Sequence, residues 1–134
     1  MLKLLCISGA VLNGIGATTN GLLMLLAPSR WYLNVPGVTL TGPFNQHFIR
    51  DVGLSFVLVG ISFLAGARSP SHRLILWGTA SLWLCAHALF HLWEVAAGIS
   101  AHSAITRDLA PVTLPAATAV ALTLWASRAD AEDR

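Results

Sequence analysis

The sequence predicts an all-α integral membrane protein, an antiparallel four-helix bundle forming one transmembrane domain over residues 1–134. Three observations carry that expectation. The chain is 55% hydrophobic and only 10% charged, with a mean hydropathy of +0.68, whereas a soluble domain carries about 25% charged residues to face water. Its apolar residues fall into four stretches, at about 2–27, 44–67, 73–98 and 109–126. Each is close to the roughly 20 residues that a helix needs to cross the hydrocarbon. No stretch alternates with period 2, so helices rather than barrel strands satisfy the backbone in lipid. The same composition excludes an ordinary soluble enzyme and a disordered tail. With a formal net charge of +2 and no basic stripe, nucleic acid is not an expected partner.

The first stretch opens with Lys3 and runs without a small-x-small cleavage site through Met24-Leu25-Leu26-Ala27, so it reads as a mature helix rather than a signal peptide. Asn13 and Asn20 share one helical face with Gly9 and Gly16, and that face is expected to point inward, since small residues let helices approach closely. A Pro- and Gly-rich loop follows over 28–43. The second stretch begins near Phe44, Ser69-Pro70-Ser71 makes a tight turn into the third, and residues 99–107 form a short polar connector. In the fourth stretch Pro111 fits a first helical turn, whereas Pro115 removes a backbone hydrogen bond and is expected to bend the helix. Cys6 and Cys85 fall at different depths and are expected to stay unpaired.

Orientation follows from the basic residues. Lys3, Arg68, Arg73, Arg128 and Arg134 lie on one side, and Arg30 and Arg107, with Arg50 just inside the second helix, on the other. The bias places both termini in the cytoplasm of a bacterial inner-membrane, multi-pass protein, with loops 28–43 and 99–108 in the periplasm. Membrane lipid is then the first partner, and a membrane-protein partner or a homo-oligomer the next.

Ionisable residues inside the spans are costly in lipid and mark candidate function. His91 lies about 40° from His87 and Glu94 about 20° on its other side, so the three share one helical face about 60° wide, and His47 and Asp51 are i, i+4 neighbours on the second helix. The topology puts all five in the outer half of the bundle, together with Arg50, Asn20 and the start of the fourth helix at Asp108. Three imidazoles and two carboxylates are a sufficient ligand set for a transition metal such as Cu, Zn or Fe. The expected metal ligands are therefore His47, Asp51, His87, His91 and Glu94, with Arg50 and Asn20 orienting a ligand or substrate beside them. Haem between His47 and His87 or His91, a quinone or lipid site, and a hydrogen-bonded network that only fixes packing are the alternatives. No activated Ser or Cys nucleophile is visible, so if the chain is an enzyme, redox chemistry is expected over hydrolysis.

At Gly21–Pro28, Pro36-Gly37 and Phe48-Ile49-Arg50-Asp51-Val52-Gly53 the chain resembles the DoxX-like group of small four-helix bacterial inner-membrane proteins. Some of that group are described as quinol oxidase subunits. The resemblance implies a four-helix membrane fold and a redox or quinol association around Arg50. The His-x-x-x-His-x-x-Glu run at 87–94 corresponds to no motif of that group.

Overall fold

The computed structural model describes the backbone of residues 1–132 and the side chains of residues 1–129, and among these it is helical with no strand. Helix α1 spans Leu2–Leu26, and it ends where Pro28, which lacks an amide hydrogen, opens the short helix α2 at Pro28–Asn34. The loop expected over 28–43 is thus partly helical, because Pro is pre-set for a first helical turn. A single 3-10 turn at Val38–Leu40 follows Gly37, whose φ of 85° suits glycine. Helix α3, Gln46–Arg68, starts where the side chain of Asn45 accepts a hydrogen bond from the Phe48 amide at 3.1 Å.

A 3-10 turn at Pro70–His72 leads directly into α4, Arg73–Ala96. Gly98, at φ 73°, closes α4, with the Ile99 and Ser100 amides donating to the Glu94 carbonyl. The connector expected at 99–107 contains helix α5, Ser103–Asp108. It runs through a π-helical turn at Leu109–Thr113 into α6, Leu114–Glu132. The helix is unbroken from Ser103 onward, so both prolines lie within it, and the widened turn just before Pro115 is where the backbone bonding is rearranged around them. The distortion expected at Pro115 therefore sits one turn earlier.

Four helical segments among the described residues are long and apolar enough to cross a membrane: Leu2–Leu26, Gln46–Arg68, Pro70–Ala96 and Ser103–Ala129. Their large apolar side chains point mostly outward, with Leu12, Leu58, Leu82 and Leu124 all exposed. The interior is built from small and aromatic residues instead. Ala10 of α1, Phe63 of α3, Trp77 of α4 and Ala119 of α6 are fully buried in one cluster.

Helices α1 and α3 touch at glycines. A Cβ on Gly14 would lie 3.1 Å from the Gly60 carbonyl oxygen, and one on Gly53 would lie 3.0 Å from that of Gly21. The buried glycines of α1 are therefore Gly14 and Gly21, in a stripe with Ala10 and Met24. Gly16, expected inward, meets nothing within 4 Å; it lies about 160° around the helix from Gly14. Helix α3 meets α4 through Phe56 on Trp83 and Phe63 on Trp77, with ring centroids 4.8 and 6.4 Å apart. Helix α4 meets α6 through Ser81 and Thr123, whose hydroxyls are 2.8 Å apart. Helix α6 returns to α1 where Asn13 Nδ2 donates to Thr118 Oγ1 at 2.9 Å.

Arg73 is buried at the start of α4. Its Nε donates to the Gly66 carbonyl at 3.1 Å, and its guanidinium carbon lies 5.4 and 5.5 Å from the ring centroids of Trp77 and Trp125. Two indole faces and a carbonyl thus take the place of a carboxylate around a buried cation.

Candidate proton-handling site on helices α4 and α5

Residues 83, 87 and 91 recur every four positions along α4 and so form one row on its surface. His87 stacks on Trp83 at 5.1 Å with an angle of 15° between the rings, while Phe56 of α3 stands edge-on to His87 at 5.6 Å. His91 stands edge-on to His87 at 4.7 Å. Beyond it the row ends on a charged group supplied by α5. His91 Nδ1 lies 2.8 Å from Asp108 Oδ2. Arg107 donates to both oxygens of the same carboxylate, Nε to Oδ1 at 2.6 Å and Nη2 to Oδ2 at 3.0 Å.

This geometry fixes protonation by elimination. A carboxylate accepting a forked pair of guanidinium hydrogen bonds is ionised and only accepts. The proton between Asp108 and His91 therefore belongs to His91 Nδ1. In the neutral imidazole the other nitrogen, Nε2, is then an acceptor. The side chains of His91 and Asp108 are 26% and 13% exposed, so the pair is shielded from water without being sealed. Beside it runs a crevice lined by Ala88, His91, Val95, Ala104, Asp108 and Thr113, with about 10 Å³ of free volume. That is room for one water.

The loop after α2 braces the cluster. Gly37 packs so closely on the Arg107 guanidinium that a Cβ there would overlap it. Glu94 is half-buried on α4 and adds a negative charge near Arg107. Among the described residues its carboxylate makes no hydrogen bond to the histidines. The i, i+3 step from His91 to Glu94 shares a face by angle, but Asp108 reaches His91 first.

The remaining expected residues lie elsewhere. His47 Nε2 pairs with Asp51 Oδ2 at 3.2 Å, with the two side chains 89% and 58% exposed. They occupy the opposite side of α3 from Phe56, about 180° and 140° around the helix from it, so they do not face His87. Arg50 donates from Nε to the Leu25 carbonyl at 3.1 Å and caps the end of α1. Asn20 accepts a hydrogen bond from Trp31 Nε1 at 2.9 Å, tying α2 to α1. The five-residue metal set of His47, Asp51, His87, His91 and Glu94 is thus not gathered. Among the described residues no three His, Cys, Asp or Glu side chains come together as a metal-holding group.

Arg107 and Asp108, which complete the cluster, were not expected as site residues. Depth placed Asp108 at the right level, but nothing in the spacing showed that a short helix would turn it back toward α4. The chain matches no protein-family model, no curated protein and no solved structure, so the chemistry of the site rests on its own geometry.

Proposed function

We propose that the chain is a multi-pass protein of a bacterial inner membrane, an antiparallel four-helix bundle with both termini cytoplasmic. In this reading it binds a hydroxylated aromatic ring of the quinol class at the periplasmic end, as a partner within a larger redox assembly. The opposed pairings support the bundle: position 14 meets 60 while 21 meets 53, and 56 meets 83 while 63 meets 77. The outward leucines support insertion, since lipid covers such a surface without penalty.

The observation that carries the ligand reading is the His91–Asp108–Arg107 arrangement. A carboxylate that fixes Nδ1–H leaves Nε2 as an acceptor for a ligand hydroxyl. The exposed Phe90 ring lies 6.5 Å from that of His91 and stacks on its other side with exposed Trp93 at 5.7 Å. Phe90 offers an apolar edge beside His91 against which a flat ring can lie from the lipid side. The crevice is too small to enclose such a ring, so the ligand sits against the helix face and offers only its hydroxyl to His91.

Titrating decylubiquinol into the protein in lipid nanodiscs, with tryptophan fluorescence as the readout, tests this. Saturable quenching that weakens in His91→Gln and Asp108→Asn and persists in His47→Gln is expected. Quenching that is absent, or equal in all four proteins, contradicts it.

A second reading is a transition metal held by His87 and His91, whose rings are 4.7 Å apart. Elemental analysis of protein purified without added metal separates the two. Stoichiometric metal that is lost in His87→Ala supports the second reading.

A further inference from the structure

Helices α1 and α6 are not closed along their whole length. On the terminal side of the Asn13–Thr118 hydrogen bond an open cleft of about 760 Å³ lies along the α1–α6 seam. Leu5, Cys6 and Gly9 of α1 form one wall, and Leu122, Trp125 and Arg128 of α6 form the other. We propose that this cleft holds one acyl chain of an anionic phospholipid from the leaflet on the side of the termini, with its phosphate on Arg128. The inference rests on the membrane reading above and is independent of the quinol site.

Three features argue for a lipid over a partner helix. The first is length. The α6 wall runs from Thr118 to Ala129, roughly 16 Å at the helical rise, which is about half of a 30 Å hydrocarbon core. An acyl chain belongs to one leaflet and needs no more, whereas a second transmembrane helix packs along a full span. The second is closure. The Asn13–Thr118 bond seals the seam at mid-depth, where a lipid tail ends.

The third is charge. Arg128 is the charged side chain in the lining and lies at the end of the cleft nearer the termini. Lys3 begins α1 at the same end, and Arg68 and Arg73 close the neighbouring turn. A basic residue at the headgroup level attracts an anionic lipid. Trp125 has a second role here, since it lines the cleft while its ring also lies 5.5 Å from the buried Arg73 guanidinium. That contact steadies the wall against which the chain lies.

The test uses the full chain in detergent, with native mass spectrometry after equilibration with phosphatidylglycerol or phosphatidylcholine of identical acyl chains. One bound phosphatidylglycerol per chain is expected, with phosphatidylcholine occupancy roughly fivefold lower, the preference one basic residue at a headgroup supplies. Arg128→Gln removes the preference but keeps residual binding. Ala121→Trp, an exposed lining position, fills the cleft and removes both adducts, with helicity by circular dichroism confirming that it folds. Equal occupancy by the two lipids, unchanged binding in Ala121→Trp, or a dimer in place of the adduct overturns the proposal. Carbonate extraction of the expressing cells separates the two levels: a chain released by carbonate fails the membrane reading itself, whereas a retained chain without lipid preference fails only this inference.

Discussion

His91 on α4 and Asp108 at the end of α5 are joined across a 2.8 Å hydrogen bond between Nδ1 and Oδ2. The bond does two things at once. It holds the α5 segment against α4, and it sets which nitrogen of His91 can receive a proton. Arg107, bonded to both oxygens of Asp108, keeps that carboxylate ionised and limits its rotation.

The structural half of that statement is open to a double-mutant cycle of His91→Gln and Asp108→Asn, read by thermal unfolding in detergent. A half-buried charged hydrogen bond predicts a coupling of about 1–3 kcal/mol between the two positions. Additive effects would mean that the two side chains do not share one interaction in the membrane.

Gly60 and Gly16 make a matched pair for the α1–α3 contact. A Cβ on Gly60 would fall on Thr18 Oγ1 and within 2.6 Å of the Gly14 carbonyl, while one on Gly16 meets nothing within 4 Å. Gly60→Ala should lower stability by about 1–3 kcal/mol through overpacking. Gly16→Ala should be neutral, or stabilising by up to ~1 kcal/mol through helix propensity. Scanning fluorimetry of the two variants side by side checks the contact, since both make the same chemical change.

Arg73 is predicted to resist even conservative replacement. A lysine keeps the charge but lacks the planar guanidinium that lies over Trp77 and Trp125 while Nε donates to Gly66. Arg73→Lys is expected to cost about 1–2 kcal/mol and to shift tryptophan emission, because Trp77 is fully buried beside it. An unchanged spectrum and melting temperature would remove the cation from the core account.

Gly37 offers a remote handle on the site. Its φ of 85° and its contact with Arg107 both disfavour a side chain. Gly37→Ala is expected to cost about 1–2 kcal/mol from the left-handed backbone alone. It should also weaken decylubiquinol binding by displacing Arg107, which titration in nanodiscs measures.

The fold was readable from the sequence where one physical constraint dominated. The need for about 20 apolar residues per crossing located the first three long segments to within a few residues, and they end near Leu26, Arg68 and Ala96, whereas the fourth, expected over 109–126, reaches from Ser103 to Ala129. Short elements escaped. Pro28 opens a seven-residue helix and Leu109–Thr113 widens into a π turn, because such features depend on tertiary contacts more than on period. The site was half legible. His87 and His91 share a face by spacing alone, and they do meet. His47 and Asp51 share depth with them but not azimuth, and depth was the stronger signal used. Arg50 and Asn20 were chosen as polar residues in lipid, yet each satisfies a local partner, Leu25 and Trp31. Polar residues at one level of a bundle converge only if their helical phases also agree.

The most direct test of the proton-accepting role is nitrogen-15 NMR of histidine-labelled protein in nanodiscs, followed across neutral pH. The account predicts that neutral His91 carries its proton on Nδ1 and leaves Nε2 as the acceptor, and that Asp108→Asn abolishes this single-tautomer signature. A neutral His91 protonated on Nε2, or a spectrum unchanged by Asp108→Asn, would contradict it.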